Sequence, residues 1–394
     1  MRLRVVILVY LALFVGELSW SGVTPLIPSY IEQYDLSDFE GGLVLSVASL
    51  GILLASVPAG YVTRRIDART LTLGAMAVIG LSGLAMALLP SYPAIIAARL
   101  VFGLAFGTLW VSMAAWLDDA AGDESPRVLA LTTSVVGLSA MLAPAYAGWV
   151  ADTWSLSTPF VGLAAVTALL LVLLMADRSG TGRRKDPAPP LRALVRASRA
   201  DPGLSTMLLL TVAAAVVWMT ADLLVPLRLD DGGYDAAAIG LVFAVSSLVF
   251  VVSGAVTARG ADRWARPGVA ATATLGLALC TALPAVLVGV PVALVFLVGA
   301  GITTGVIGAL TFPFGLQAVQ RGAVTVALMS ALANIIWALS GMAGPTIGGA
   351  FAEWAGDQMA FAVLAAVSLV VAVVVGRRGY ASRASVAGRR YTNQ

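Results

Sequence analysis

Apolar residues in this chain fill whole stretches of about twenty positions instead of recurring on one helical face, and short polar connections rich in Arg, Asp, Gly and Pro separate the stretches. A helix needs roughly 20 apolar residues to cross about 30 Å of hydrocarbon while pairing all its backbone groups internally. Runs of that length predict twelve spans, near 5–30, 41–63, 70–90, 93–116, 127–150, 157–176, 204–227, 236–258, 268–289, 291–315, 323–350 and 358–376. The stretch 177–203, DRSGTGRRKDPAPPLRALVRASRADPG, is basic, Pro-rich and too polar to span. It divides the chain into a six-helix half at 1–176 and a second at 204–376, leaving a polar tail at 377–394. The start, Met1-Arg2-Leu3-Arg4 before an apolar run, has the outline of a secretory leader. The run continues to about Ile31 without a small-x-small cleavage site, so it reads as the first span. The expected fold is all-α: a polytopic membrane protein of twelve helices in two pseudo-symmetric halves.

Composition agrees with a hydrocarbon solvent. Of the 394 residues 59% are hydrophobic and 11% charged, against about 25% charged in an average soluble domain. The placement of charge matters more than its sum. With both termini in the cytoplasm, all but two of the 24 Lys and Arg fall on the cytoplasmic side; the exceptions are Arg228, outside, and Arg99, within a span. The outer connections carry Glu32, Asp35, Asp38, Asp152, Asp230, Asp231 and Asp235 instead. The positive-inside rule therefore predicts a multi-pass protein of the cell membrane with cytoplasmic termini. Its basic residues are explained by topology, and no nucleic-acid partner is expected. The absence of His and the single Cys280 exclude an internal disulfide, a Cys/His metal site and a histidine proton relay. No nucleophile elbow or Walker-type phosphate loop is present, so the sequence supports neither an enzyme nor the use of ATP, and no cofactor is expected. Energy for any transport must come from an ion gradient.

The two halves repeat one another. Thr24-Pro25-Leu26 returns as Val225-Pro226-Leu227, Tyr34-Asp35 as Tyr234-Asp235, and Ala143-Pro144 with Gly148 as Gly344-Pro345 with Gly349. The offset stays near about 200 residues, as duplication of a six-helix unit requires.

Four further motifs give the chain a resemblance to the major facilitator superfamily over essentially its whole length. The family's G-x-x-x-D-R-x-G-R-R loop is similar to Gly60-x-x-x-Arg64-Arg65-x-Asp67-x-Arg69 after the second span. The second-half copy, with Asp262, Arg263 and Arg266, matches it better. In the family this loop latches the cytoplasmic side, its Asp facing a helix N-terminus in the opposite half, and Asp262 would take that part against the start of span five. Arg64 stands at the Asp position of the first copy, which departs from the pattern. The bland reading of these loops is a solvated basic patch that sets topology. Asp118 and Asp119, ending span four, would be partners for Arg64 or Arg65. Span four contains Arg99-x-x-x-Gly103-x-x-x-Gly107, whose Arg is implicated in proton transfer in the family. Embedding an Arg costs about 2.5–3.5 kcal/mol on insertion scales, so it faces a partner or a wet cavity, or snorkels outward. The glycines permit close helix contact. Span five, Ser139 to Gly148 with Pro144, resembles the antiporter motif G-x-x-x-G-P-x-x-G-G with several Gly-to-Ala changes, and span eleven holds the fuller Gly344-Pro345-x-x-Gly348-Gly349. Finally, Glu17 precedes Pro25-x-x-Pro28-Ser29-Tyr30, as in the drug:proton antiporter branch.

Glu17, Arg99 and Asp222 are ionisable residues inside spans, and the resemblance places spans one, four and seven around a central cavity. A carboxyl removed from water favours its neutral form, so an acid alternating between environments can load and release a proton. The alternative role for each acid is a structural carboxylate neutralised by Arg99 or backbone groups. Trp20, Trp110, Trp218 and Trp337, with Asn334, offer faces and amide groups to an organic solute, or simply pack. The resemblance implies a monomeric proton-coupled exporter of small organic or drug-like molecules, an antiporter working by alternating access. The alternative is a symporter or facilitator importing a sugar or organic acid, for which the shortage of in-span Asn and Gln argues mildly against.

Overall fold

The computed structural model describes residues 2–62, 65–176, 201–324 and 326–391. Among them twelve helices are long and apolar enough to cross a membrane. The first six are Leu3–Tyr34, Asp38–Ser56, Ala68–Leu88, Tyr92–Ala121, Leu131–Thr153 and Thr158–Ala176. The second six are Pro202–Asp231, Ala236–Ala258, Pro267–Val286, Val290–Gln320, Ala331–Ala355 and Asp357–Arg378. The expected spans are all present, shifted by a few residues at their ends. Most of the 177–203 linker lies outside the described residues, and the last helix continues from the tail boundary to Tyr391.

Local chemistry explains where these helices begin. Ser37 and Glu40 form a reciprocal capping box at span two: the Glu40 N–H donates to Ser37 Oγ (3.3 Å) and the Ser37 N–H to the Glu40 carboxylate (2.9 Å). Spans three, seven and eight each start on an Asp whose Oδ1 accepts a backbone N–H three residues on, namely Asp67 (2.9 Å), Asp201 (2.9 Å) and Asp235 (2.7 Å). Span one is broken. Its helix stops at Ser21, passes through a 3₁₀ turn at Thr24–Leu26 around Pro25, and restarts at Ile27–Tyr34. Pro25 has no N–H to return to Ser21, so the regular ladder cannot run through this point. Asp35 then ends the helix in the left-handed conformation (φ 51°).

The helices sort into two compact units. The first contains spans one to six together with Ala221–Leu248 and Gly341–Glu353, so segments of spans seven, eight and eleven pack within it. Its interior is built by spans one, three and four, where Val9, Leu13, Met76, Leu109, Met113 and Trp116 are almost completely buried. Spans two and four cross at backbone contact. A methyl group on Gly103 would lie 2.0 Å from the Ala48 carbonyl oxygen, one on Gly51 2.6 Å from that of Leu100, and one on Gly107 3.0 Å from Ile52 Cα. Small residues allow this approach where lipid supplies no hydrophobic force between helices. The second unit contains the start of span seven up to Thr220, Val249–Ser340 and the chain from Trp354. There span nine packs against spans ten and twelve. Large apolar side chains such as Leu169, Val172, Leu279 and Val286 remain more than half exposed on the helix exteriors, a surface suited to hydrocarbon.

In each six-span half an ion pair ties the start of the first span to the end of the fourth. Arg2 reaches Asp119 at 2.5 Å, and Arg321 grips Asp201 with two bonds of 2.8 Å. The polarity is exchanged between the halves: the base lies at the start in one and at the end in the other.

Candidate functional site

Glu17 sits in the unbroken part of span one, 7% exposed, with the Trp110 side chain of span four beside its carboxyl. One turn further along span one, the Trp20 ring stacks on Phe106 (5.8 Å between centroids, 11° between planes) and Phe102 (6.4 Å, 26°). Phe102 and Phe106 lie four residues apart, so helical geometry places them on one face of span four, and their rings stack at 5.4 Å. Arg99, one turn before Phe102, completes that stripe. Its guanidinium carbon stands 5.1 Å from the Phe102 centroid and 5.7 Å from that of Trp20, a cation–π arrangement on two rings. Its Nε donates to the Val44 carbonyl on span two at 3.0 Å, and the residue is 1% exposed. Glu17, Trp20 and Arg99 thus belong to one cluster between spans one and four. Trp110, an in-span Trp already singled out, and the two rings Phe102 and Phe106 complete it; the spacing of the two Phe from Arg99 was the sequence signal that could have singled them out.

Asp222 lies half-buried on span seven, flanked by the buried Ala221, Leu223 and Leu224. Among the described residues no hydrogen bond or ion pair joins Glu17, Arg99 and Asp222 to one another. In the second unit Trp218 packs on Phe250 (5.3 Å), while Asn334 and Trp337 are exposed on span eleven.

The loop motif residues divide. Gly60 lies inside the helix of span two, Arg64 falls outside the described residues, and Arg65 is exposed. Asp67 caps span three, and Arg69 Nη2 donates to the carbonyls of Leu174 (3.2 Å) and Met175 (3.1 Å), which end span six. A cation at a helix C-terminus satisfies carbonyls that have no partner within the helix. Arg263 and Arg266 are exposed; Asp262 stands in the short helix Ala261–Trp264, and its side chain is outside the described set. Among the described residues Asp119 meets Arg2, because the chain start runs beside the end of span four, where the Arg2 N–H also donates to the Ala120 carbonyl (2.8 Å); the expected pairing with Arg64 lies outside the described residues.

The small-residue motifs of spans five and eleven make backbone crossings inside the first unit. A methyl group on Gly148 would lie 2.0 Å from the Ala236 carbonyl oxygen, and one on Gly240 2.2 Å from that of Pro144. The repeat-related pair behaves alike: Gly349 would meet the Asp38 oxygen at 2.5 Å and Gly42 that of Pro345 at 2.4 Å. Gly344 and Gly348 are buried on the same helix. Gly42 and Gly240 carry no motif of their own, and only the fold identifies them as the partners.

Arrangements of this kind, buried charges among apolar helices that cross through glycine, suit the movement of a solute across a membrane. Solved structures of transporters have the same fold. A bacterial homolog of the human lysosomal transporter Spinster aligns with 96% of this chain and 95% of its own at a TM-score of 0.73 and 15% identity. A POT family transporter aligns with 94% and 95% at 0.76 and 13% identity, and the nucleoside transporter NupG with 94% and 98% at 0.73 and 15% identity. In sequence, the 3-(3-hydroxy-phenyl)propionate transporter of Escherichia coli K12 is 27% identical over 54% of each chain. An uncharacterized MFS-type transporter of Yersinia pestis is 32% identical over 42% of this chain and 43% of its own. The chain thus spans about half or less of the length of these curated relatives. The profile of the Major Facilitator Superfamily matches residues 9–345, most of the chain. This chain therefore belongs to the Major Facilitator Superfamily and is a multi-pass membrane transporter, not an enzyme.

Proposed function

We propose that the protein is a proton-coupled antiporter that exports small organic molecules from a cell whose cytoplasm holds both chain termini. The observation that carries this reading is the placement of two carboxyl residues, Glu17 and Asp222, within spans and without an ion-pair partner among the described residues. Removal from water favours the neutral form of a carboxyl, so each acid is suited to take a proton and to release it when its surroundings become wet. If a solute and a proton compete for the same acid, their fluxes are coupled in opposite directions. Trp20, Trp218 and Trp337, with Asn334, would contact the solute, and the Asp262, Arg263 and Arg266 loop would latch the cytoplasmic side with Gly60, Arg64, Arg65, Asp67 and Arg69. Pro144 and Pro345 with their glycines would gate the opposite side. The working unit is a monomer.

The test uses everted vesicles with an acidic lumen and ethidium as the probe solute. Export predicts lumenal accumulation that collapses when the pH gradient is dissipated and is lost in Glu17→Gln or Asp222→Asn. Equal accumulation by parent and both variants would overturn the assignment of these acids.

A second reading follows from the curated relative that carries 3-(3-hydroxy-phenyl)propionate, an aromatic acid. In this reading the chain imports a small aromatic carboxylate together with protons. Right-side-out vesicles that take up 3-(3-hydroxyphenyl)propionate on external acidification, with no ethidium movement in the everted preparation, would establish it over export.

A further inference from the structure

Among the described residues the charge on Arg99 meets no carboxylate. Among the described residues its hydrogen-bond acceptor is the Val44 carbonyl, which occupies Nε and leaves the two terminal nitrogens of the guanidinium without a protein acceptor. The aromatic rings of Trp20 and Phe102 stabilise the cation through its faces, but they accept nothing from its in-plane N–H groups. The terminal nitrogens keep contact with open space, and in a residue only 1% exposed a small ligand held there offsets part of the cost of taking a charge out of bulk water, on the order of several kcal/mol.

Arg99 lines a narrow cleft in the first unit, between spans one, three, four and six. The cleft is wide enough for one water-sized group at a time, too small for an organic solute. It lies toward the ends of spans three, four and six that carry the 89–91 and 154–157 connections. Three hydroxyl residues share its wall with Arg99: Ser19, Ser82 and Thr167, the last two buried. No Asp or Glu does so. Each hydroxyl donates to a carbonyl of its own helix, Ser19 to Val15 (3.0 Å), Ser82 to Ile79 (2.8 Å) and Thr167 to Leu163 (2.7 Å). Those carbonyls also serve the helical ladder, so a hydroxyl that turns its proton into the cleft leaves no helix carbonyl without a partner. A cation would meet Arg99 with no acid to offset it. An anion would meet guanidinium N–H groups and as many as three O–H donors.

We infer that the cleft beside Arg99 is a binding site for a small monovalent anion, chloride, held by the terminal guanidinium nitrogens with Ser82 and Thr167. The bound ion neutralises Arg99 within the first six spans. Glu17 does not line this cleft, and the site does not depend on which solute is carried or in which direction.

The experiment measures thermal unfolding of the full-length protein in detergent as sodium chloride replaces sodium gluconate at constant ionic strength, so that screening is held fixed. The expected result is a saturable rise in the unfolding midpoint. In Ser82→Ala/Thr167→Val, the half-saturating chloride concentration should increase about tenfold, the effect of losing two modest hydrogen bonds. In Arg99→Gln the response should vanish. If that variant does not fold, the double variant decides. Identical midpoints in chloride and gluconate would overturn the inference and leave water as the occupant. A chloride response unchanged in the double variant would place the ion elsewhere and overturn it as well. Sodium acetate giving the rise while chloride does not would assign the cleft to an organic carboxylate, again against the halide.

Discussion

Replacing Gly148 by alanine tests whether the crossing of spans five and eight holds one side of the first unit closed. The added methyl would sit 2.0 Å from the carbonyl oxygen of Ala236 and 2.8 Å from its carbon, whereas ordinary contact begins at 3.4 Å. Both obstructing atoms are backbone at the start of span eight, so no side chain can rotate away and the helices must part by about 1.4 Å, the difference between 2.0 and 3.4 Å. Overpacking of this kind costs about 1–3 kcal/mol. Alanine also favours a helix over glycine by about 1 kcal/mol, but span five is helical whether or not the crossing is intact, so that gain does not oppose opening. A bias of about 1–3 kcal/mol raises the open fraction by about 5- to 150-fold. Hydrogen–deuterium exchange, read on peptides covering 143–150 and 234–242, should rise accordingly in Gly148→Ala. The control is Gly74→Ala, where a methyl meets nothing within 4 Å. That change should leave exchange at these peptides at the parental rate. Parental exchange in Gly148→Ala, or equal acceleration by the Gly74 control, would refute the closure argument.

Gly103→Val should prevent stable assembly of the first six spans, because even its Cβ would fall 2.0 Å from the Ala48 oxygen; recovery of monodisperse protein after size-exclusion chromatography checks this. Asp201→Asn should lower stability by about 1–2 kcal/mol, since it weakens both a helix cap and the grip of Arg321. The Arg321 guanidinium beside Asp201, helped by backbone N–H groups, holds its carboxyl below the usual range. A folded value lower than the unfolded one contributes stability above the unfolded carboxylate range, near about pH 4, that is lost as pH falls through the lowered native value. The melting temperature of the parent should therefore drop more steeply under acid conditions than that of Asp201→Asn. Arg69→Ala should cost about 0.5–1.5 kcal/mol by releasing the carbonyls of Leu174 and Met175 at the end of span six, measured by thermal unfolding.

Sequence by itself determined the number and place of the spans, because a helix in hydrocarbon must be apolar for its whole length and that requirement is written locally. The break in span one and the helix caps came from the structure, although each has a local cause: Pro25 cannot continue a helix, and Asp67, Asp235 and the Ser37–Glu40 pair sit where helix N-termini need acceptors. The repeat was legible too, since duplication preserves spacing. Arg99 and Glu17 stood out as charges in apolar runs, but their surroundings did not. That Glu17 lies beside Trp110, that Arg99 stands over two stacked rings, and that Ser82 and Thr167 share a cleft with it depend on how spans one, three, four and six rotate about their axes. Those rotations follow from packing between helices that are apolar all round, where no amphipathic stripe in the sequence tells which face turns inward. Gly42 and Gly240 were invisible for the same reason: a glycine shows its purpose only when another backbone arrives against it.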